Sequence, residues 1–270
     1  MTASYAELSG RALVGVTGPD WRVFLQGLLS NDVETLAAGQ MRFAALLTPQ
    51  GRVLFDLFVI GGAEGCLLDV QATRLQALIE RLLIYRLRAK VDIAAAPGAV
   101  CVLWDKAEAP EGWIPDPRLP QLGFRGVGLP QPAGAASPGE DAYDAFRLEI
   151  GAPDLARDAA PDKTYPIEAD MDLMNGIDFK KGCFVGQETT SRMKRRGGIR
   201  SRMLPIVFEG PAPPHGAEVL AGELRAGEVL SGRDGRAMAL LRLDRIELAE
   251  LTVQGRPVRV ERPDWLSESG

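Results

Sequence analysis

The sequence predicts an α+β protein whose last quarter is a small all-β barrel or sandwich. Two amphipathic helical stretches set among strands in the first ninety residues give the mixed class. Short strand-like runs broken by glycine turns, from residue 203 onward, give the β region.

Taken in order, residues 17–29 read as a helix, with Trp21, Phe24, Leu25 and Leu28 on one face and Pro19 in the first turn. Residues 43–60 hold two strand-like runs around Thr48-Pro49-Gln50-Gly51, a hairpin signal. The second run is apolar except for Asp56, so it reads as a buried strand with a hydrogen-bonded structural carboxylate. A strand at 66–70 leads into residues 72–84, where Leu75, Leu78, Ile79, Leu82 and Leu83 recur at helical spacing, and another strand follows near 100–104. Between 105 and 141 proline and glycine crowd in and periodicity stops, leaving irregular connections around one short strand at 123–129. Residues 145–150 alternate apolar and polar and read as a strand. The last strands are expected at 204–208, 217–220, 225–230, 237–243 and 256–261.

The 270 residues carry a net charge of −5, which excludes a chain built to coat nucleic acid or an anionic membrane. The charge is uneven: residues 180–202 hold eight Lys/Arg and one acid, a local +7 on a body of −12, which is a device for drawing in a small anion. Cys66, Cys101 and Cys183 are odd in number and far apart, which argues for a reducing compartment and against a disulfide framework. With a single histidine, His215, no zinc site can be assembled at normal spacing, so no metal ligands are expected. Three cysteines also fall short of the four thiolates that a complete cluster site takes. No segment reaches the length of a membrane span and no basic-then-apolar leader opens the chain, giving the expectation of a cytoplasmic protein.

The most chemically pointed stretch is the run from Asp178 to Glu188. It sets a lone thiol, Cys183, two residues after Lys181, with Gly182 and Gly186 on either side and a helix start expected near Gly186. A nearby ammonium and the amide dipoles of a helix start favour the reactive thiolate. Lys181-Gly182-Cys183-Phe184-Val185-Gly186-Gln187-Glu188 resembles the K-G-C-[FY]-x-G-Q-E signature of YgfZ-type folate-binding proteins, relatives of the glycine-cleavage T-protein (aminomethyltransferase) that support iron–sulfur enzymes. The resemblance spans most of the chain. Gly18-Pro19-Asp20, Phe24-Leu25-Gln26-Gly27, Ser30-Asn31-Asp32-Val33 and Leu47-Thr48-Pro49-Gln50-Gly51-Arg52 are similar to segments shared across the T-protein superfamily. The stretch from Phe146 to Pro153 and the run Thr189-Thr190-Ser191-Arg192-Met193 follow the same pattern.

The resemblance implies a three-domain cloverleaf that binds tetrahydrofolate or a related folate. Its discontinuous first domain takes residues 1–48 and 138–200, a ferredoxin-like domain takes 49–137, and the C-terminal barrel takes 201–270. Its implied partners are iron–sulfur client enzymes or assembly factors. One departure weighs against aminomethyl transfer: Ala77 stands where the T-protein has the aspartate that helps its chemistry, although Arg74 is kept, as a solvated helix arginine. Cys183 and Lys181 become the expected working pair, with Gly186 and Gln187 beside them in the folate site. Glu149, placed opposite Phe146, Leu148 and Ile150, is the expected carboxylate for the pterin edge, ahead of Glu168 and Asp170. Arg192, Lys194, Arg195, Arg196 and Arg202 are expected to meet the carboxylates of a folate glutamate tail, extended or single.

Three functions follow in order. The first is a tetrahydrofolate-binding accessory protein for assembly or repair of iron–sulfur clusters. The second is a folate-dependent one-carbon (aminomethyl) transferase or demethylase, which needs a base that Ala77 does not supply. The third is an RNA-binding module, disfavoured because only Phe179 and Phe184 are interleaved with the basic run.

Overall fold

The computed structural model describes residues 2–195 and 198–267. The chain divides into two compact units: residues up to 143 together with 174–187, and residues 144–173 together with 188 onward. The first unit holds β1 (Ser4–Glu7), β2 (Arg11–Thr17), α1 (Trp21–Gln26), β3 (Met41–Leu47), β4 (Val53–Gly61), β5 (Gly65–Gln71), α2 (Leu75–Arg86), β6 (Asp92–Ala96), β7 (Val100–Trp104), β8 (Ile114–Pro115) and β9 (Phe124–Val127). The chain passes to the second unit within α3 (Glu140–Ile150) and continues through α4 (Leu155–Asp158), α5 (Gln187–Arg195), the strands β10 (Ser201–Val207), β11 (Glu218–Ala221), β12 (Leu224–Arg233), β13 (Arg236–Arg242), β14 (Leu251–Val253) and β15 (Arg256–Val260), and α6 (Asp264–Ser267).

In the first unit a five-stranded antiparallel sheet runs β3-β4-β5-β2-β6. Its hairpin pairs Leu47 with Val53 around the 48–51 turn, as the sequence signalled. Trp21, Phe24 and Leu25 of α1 and Leu78, Ile79 and Leu82 of α2 share one core with Val14, Leu57 and Leu68 of the sheet. Each such side chain contributes about 1.5–3 kcal/mol when fully buried. The helix expected at 17–29 is shorter, because Thr17 still belongs to β2 and Gly18, at φ 108°, turns the chain before Trp21.

The second sheet of this unit runs β1-β7-β9-β8. A buried chain of charges joins the two sheets. Arg11 pairs with Asp56 at 2.8 Å and Asp69 at 2.6 Å, and Arg125 pairs with Asp69 at 2.6 Å and lies 3.8 Å over the Phe58 ring. Arg125 also reaches Asp116 at 3.7 Å, which Arg118 grips at 2.8 Å. Burial opposes ionisation of Asp116, but the two guanidinium groups outweigh it and hold the carboxyl below its usual range. Asp56 is therefore the structural carboxylate expected of it.

In the second unit β10-β13-β12-β11-β14-β15 close into a barrel packed with Ile206, Val219, Val229, Leu241 and Val253. Five of its strands fall where the glycine-punctuated runs predicted them; β14 is additional. The expected strand at 145–150 is a correction: these residues are the end of α3. The alternation counted Arg147 as exposed, but it is buried, bonded to Asp144 at 2.9 Å, to Asp158, and to the Ser231 hydroxyl at 2.6 Å. Tyr143, Asp144, Arg147 and Leu148 then form a buried face with helical spacing.

Candidate functional site

The loop that leads to Cys183 is fastened residue by residue to the chain after α1. Ser30 donates from its hydroxyl to the Gly176 carbonyl at 2.6 Å, and the Asn31 amide donates to the carbonyls of Phe43 and Asn175, each at 2.7 Å. The Asp178 amide donates to the Ser30 carbonyl, and the Asp178 carboxylate turns the chain by accepting the amides of Lys180 at 2.7 Å and Lys181 at 3.2 Å.

Lys181 then points inward. Its ammonium donates to the carbonyls of Gln26 at 2.9 Å, Leu29 at 2.6 Å and Asn31 at 2.8 Å, using all three N–H donors, and lies 5.3 Å from the centre of the Phe184 ring. Burial pulls this lysine down to about 8, against the upward pull of Asp32 and Asp178. Phe184 is buried and Val185 packs on the sheet–helix core. Gly186 sits at φ 81°, where a Cβ would lie 2.6 Å from the Thr48 carbonyl oxygen and 3.0 Å from the Gly51 Cα. Only glycine fits there against the hairpin, and α5 starts at the next residue, half-buried Gln187.

Between these two anchors Gly182 and Cys183 are exposed. Gly182 has open space around its missing Cβ, so of the two flanking glycines only Gly186 answers to a close approach. Cys183 is the exposed thiol of the three. Cys66 is buried, which pushes its thiol up to about 12, and Cys101 is buried against the Tyr5 hydroxyl at 3.4 Å. Lys181 and Cys183 thus part company: one side chain is spent on the backbone beneath the loop, the other faces solvent.

A cavity of about 810 Å³ opens beside Asp178, Phe179 and Lys180, with Arg42, Phe43 and Asp116 also on its walls. It falls in the 300–1,000 Å³ range of small-molecule sites. Sequence reasoning missed Arg42 and Asp116. Arg42 carried no signal, and Asp116 lay in the proline-rich stretch whose periodicity stops.

The other expected residues are placed as follows. Glu149 is exposed on α3, with no strand beneath it. Glu168 accepts the Tyr165 amide at 3.1 Å. Arg202 is buried, bonded to the Ile167 carbonyl at 2.9 Å, to Asp170 at 2.6 Å and to Asp172 at 3.0 Å. Burial drives the Asp170 carboxyl up to about 8, with Asp172 adding to the shift and Arg202 opposing it. Lys194 pairs with Asp172 at 3.1 Å, while Arg192 and Arg195 are exposed on α5. Arg196 lies outside the described residues. Arg74 is not the solvated arginine expected: it donates to the Leu54 carbonyl and stacks 4.2 Å from the Phe55 ring centre. Ala77 is exposed on α2. Among the described residues no group of three or more His, Cys, Asp or Glu is placed to hold a metal, and no helix is long and apolar enough to cross a membrane.

These features define an α+β protein of the aminomethyltransferase fold with a CAF17-type C-terminal barrel. Residues 200–268 match the CAF17 C-terminal β-barrel domain. The glycine cleavage system aminomethyltransferase T from Bartonella henselae superposes with a TM-score of 0.77 over 98% of this chain and 86% of that chain, at 21% identity, a likeness of fold. The mitochondrial iron–sulfur cluster assembly factor IBA57 of Mus musculus is 34% identical over 96% of this chain and 84% of its own length. The Homo sapiens protein of the same name is 33% identical over 96% and 84%. A Neurospora crassa homologue is 32% identical over 85% of this chain and 60% of its own length. The chain belongs to the IBA57 family of iron–sulfur cluster assembly factors. The cytoplasmic expectation is corrected by these relatives, which are mitochondrial proteins by name.

Proposed function

We propose that this protein is an accessory factor for assembly or repair of iron–sulfur clusters in client enzymes, that Cys183 is its working thiol, and that it binds a folate. The observation that carries the reading is the exposed Cys183 at the apex of a loop anchored by Lys181 on one side and Gly186 on the other. A cluster normally takes four thiolates. With Cys66 and Cys101 buried, Cys183 makes its contact with a partner's cluster as one ligand or sulfur contact, and the partner supplies the rest. Lys181 is a positioning residue: its ammonium fixes the carbonyls that the loop stands on.

For folate, the support is the cavity beside the loop. Ile114 and Phe179 offer apolar walls to a pterin-sized ring system, and Arg42 and Lys180 offer charge to the tail carboxylates. With Ala77 in the T-protein aspartate position, no base is at hand there for aminomethyl transfer.

The test is rescue of iron–sulfur enzyme activity in cells lacking the protein. Wild type is expected to restore activity, and Cys183→Ser, at matched protein level, is expected not to. Full rescue by Cys183→Ser sinks the cluster role. Anaerobic calorimetry with tetrahydrofolate tests the second part, with weaker binding expected for Arg42→Ala and Lys180→Ala. No binding by wild type removes the folate and leaves the thiol reading standing.

A further inference from the structure

The second basic feature of the chain lies outside the loop and cavity just described. Residues 81–90 hold Arg81, Arg86, Arg88 and Lys90 and no acid. All four side chains are exposed and, among the described residues, none has an ion-pair partner. Arg11, Arg118, Arg125, Arg147 and Arg202, by contrast, have buried side chains and pair with acids.

Apolar side chains sit among these cations. Of the six exposed large hydrophobics among the described residues, Leu83, Ile84 and Leu87 lie in this stretch, with Ile84 at 64% and Leu87 at 89% exposure. The last turn of α2 ends at Leu87, whose backbone adopts φ 43°, ψ −105°. A non-glycine residue held at so sparsely populated a positive-φ conformation costs about 1–3 kcal/mol, and it persists where surrounding structure imposes it, often at functional sites. Here the strain presents a leucine to water instead of burying it. The segment is tied to the start of α1: the Lys90 amide donates to Asp20 Oδ2 at 2.7 Å and its carbonyl accepts the Asp20 amide. One turn on, α1 turns Val23 outward at 79% exposure, a fourth exposed hydrophobic, while its last carbonyl, Gln26, holds Lys181.

We infer that the end of α2, with Val23 of α1, is a docking surface for an acidic protein partner, one with an apolar recess for Leu87 rimmed by Asp or Glu side chains. Charge complementarity argues for the sign of the partner: four unpaired cations attract acids and set the approach. Aliphatic anchors within a charged rim are the composition of a protein interface. A membrane surface fits less well, because α2 spends Leu78, Ile79 and Leu82 on the core and leaves only its last turn apolar outside, short of an interfacial helix. The net charge of −5 and the aliphatic anchors also weigh against a nucleic acid. This surface is independent of the roles proposed for Cys183 and folate.

The test is photo-crosslinking in cells from a benzophenone amino acid at position 87, with position 248 as an exposed apolar control. The crosslinked protein is identified, purified and titrated calorimetrically against full-length wild type, Leu87→Asp, Leu87→Asn and the double variant Arg86→Glu with Arg88→Glu. Leu87→Asn removes the aliphatic anchor without adding charge, and the arginine double variant, which keeps Leu87 and changes only exposed side chains, guards against loss of folding. The expected result is an adduct with an acidic protein, enriched at 87 over 248. Its affinity should fall about tenfold or more in each variant, and should weaken as salt is raised. Equal crosslinking at the two positions overturns the proposal, as does unchanged affinity in the variants. So does a patch that instead binds phosphatidylserine vesicles or RNA, or that mediates self-association abolished by Leu87→Asp.

Discussion

Two basic stretches of this chain put their charge to opposite uses. Along 180–202, the run that stands out in the sequence, two cations turn inward, Lys181 to three backbone carbonyls and Arg202 to Asp170 and Asp172, and exposed Lys194 pairs with Asp172. Along 81–90, every cation faces water without an ion-pair partner among the described residues. A count of lysines and arginines therefore reports where charge is, while the acids and carbonyls that the fold brings near decide what the charge does. In the first stretch it builds a platform; in the second it is left for another molecule.

Arg202→Met should do the most damage of any change to either stretch. It takes the guanidinium from buried Asp170 and leaves Asp172 with Lys194 alone, and is expected to cost about 3–5 kcal/mol in denaturant unfolding. Lys181→Met comes next. It leaves three carbonyls without their donor, and with about 1–3 kcal/mol for each buried group left unpaired, a loss of about 3 kcal/mol or more is expected. A loss under about 1 kcal/mol in either variant would erase the contrast between the two stretches.

The Asp170 carboxyl gives a pH signature of the inward stretch. Its folded value, near 8, lies above the 3.8 of a free aspartate, so the folded chain holds the extra proton between those values. The stabilisation this group contributes is complete below about 3.8 and is lost as pH rises through about 8. Asp170→Asn, which mimics the protonated acid, should flatten that part of the stability curve when melting temperatures are compared across pH 4 to 8. An unchanged slope would mean that Arg202 keeps Asp170 ionised.

Gly186→Ala brings a methyl against the Thr48 carbonyl at a positive φ and is expected to cost about 1–3 kcal/mol. Gly182→Ala, in open space, should be nearly silent. The smallest effect belongs to the outer stretch: Arg86→Gln with Arg88→Gln should change stability by no more than about 0.5 kcal/mol.

How much of this was legible in sequence depended on which residues obeyed their usual habits. The β3–β4 hairpin and the barrel were readable because their apolar positions keep strand period and their turns carry glycine. The end of α3 was misread because Arg147 breaks the habit of arginine and lies buried among acids, so an exposed position was counted where the helix has an inner face. Lys181 has a role that the sequence did not display: a lysine two residues from a thiol reads as its activating charge, and nothing local shows that three carbonyls from residues 26–31 lie beneath it. The lone thiol itself was visible, because Cys183 sits in the one run dense enough in glycine and charge to announce a built loop. The cavity was not, since Arg42 and Asp116 come together only through the fold.

The most direct test of the division of labour between Lys181 and Cys183 is a brief iodoacetamide pulse on the native protein, read by mass spectrometry at each cysteine. One adduct, on Cys183, is expected, with Cys66 and Cys101 modified only after unfolding. Modification of Cys66 or Cys101 at a rate like that of Cys183, or protection of Cys183, would contradict the presented thiol on which the proposed function depends.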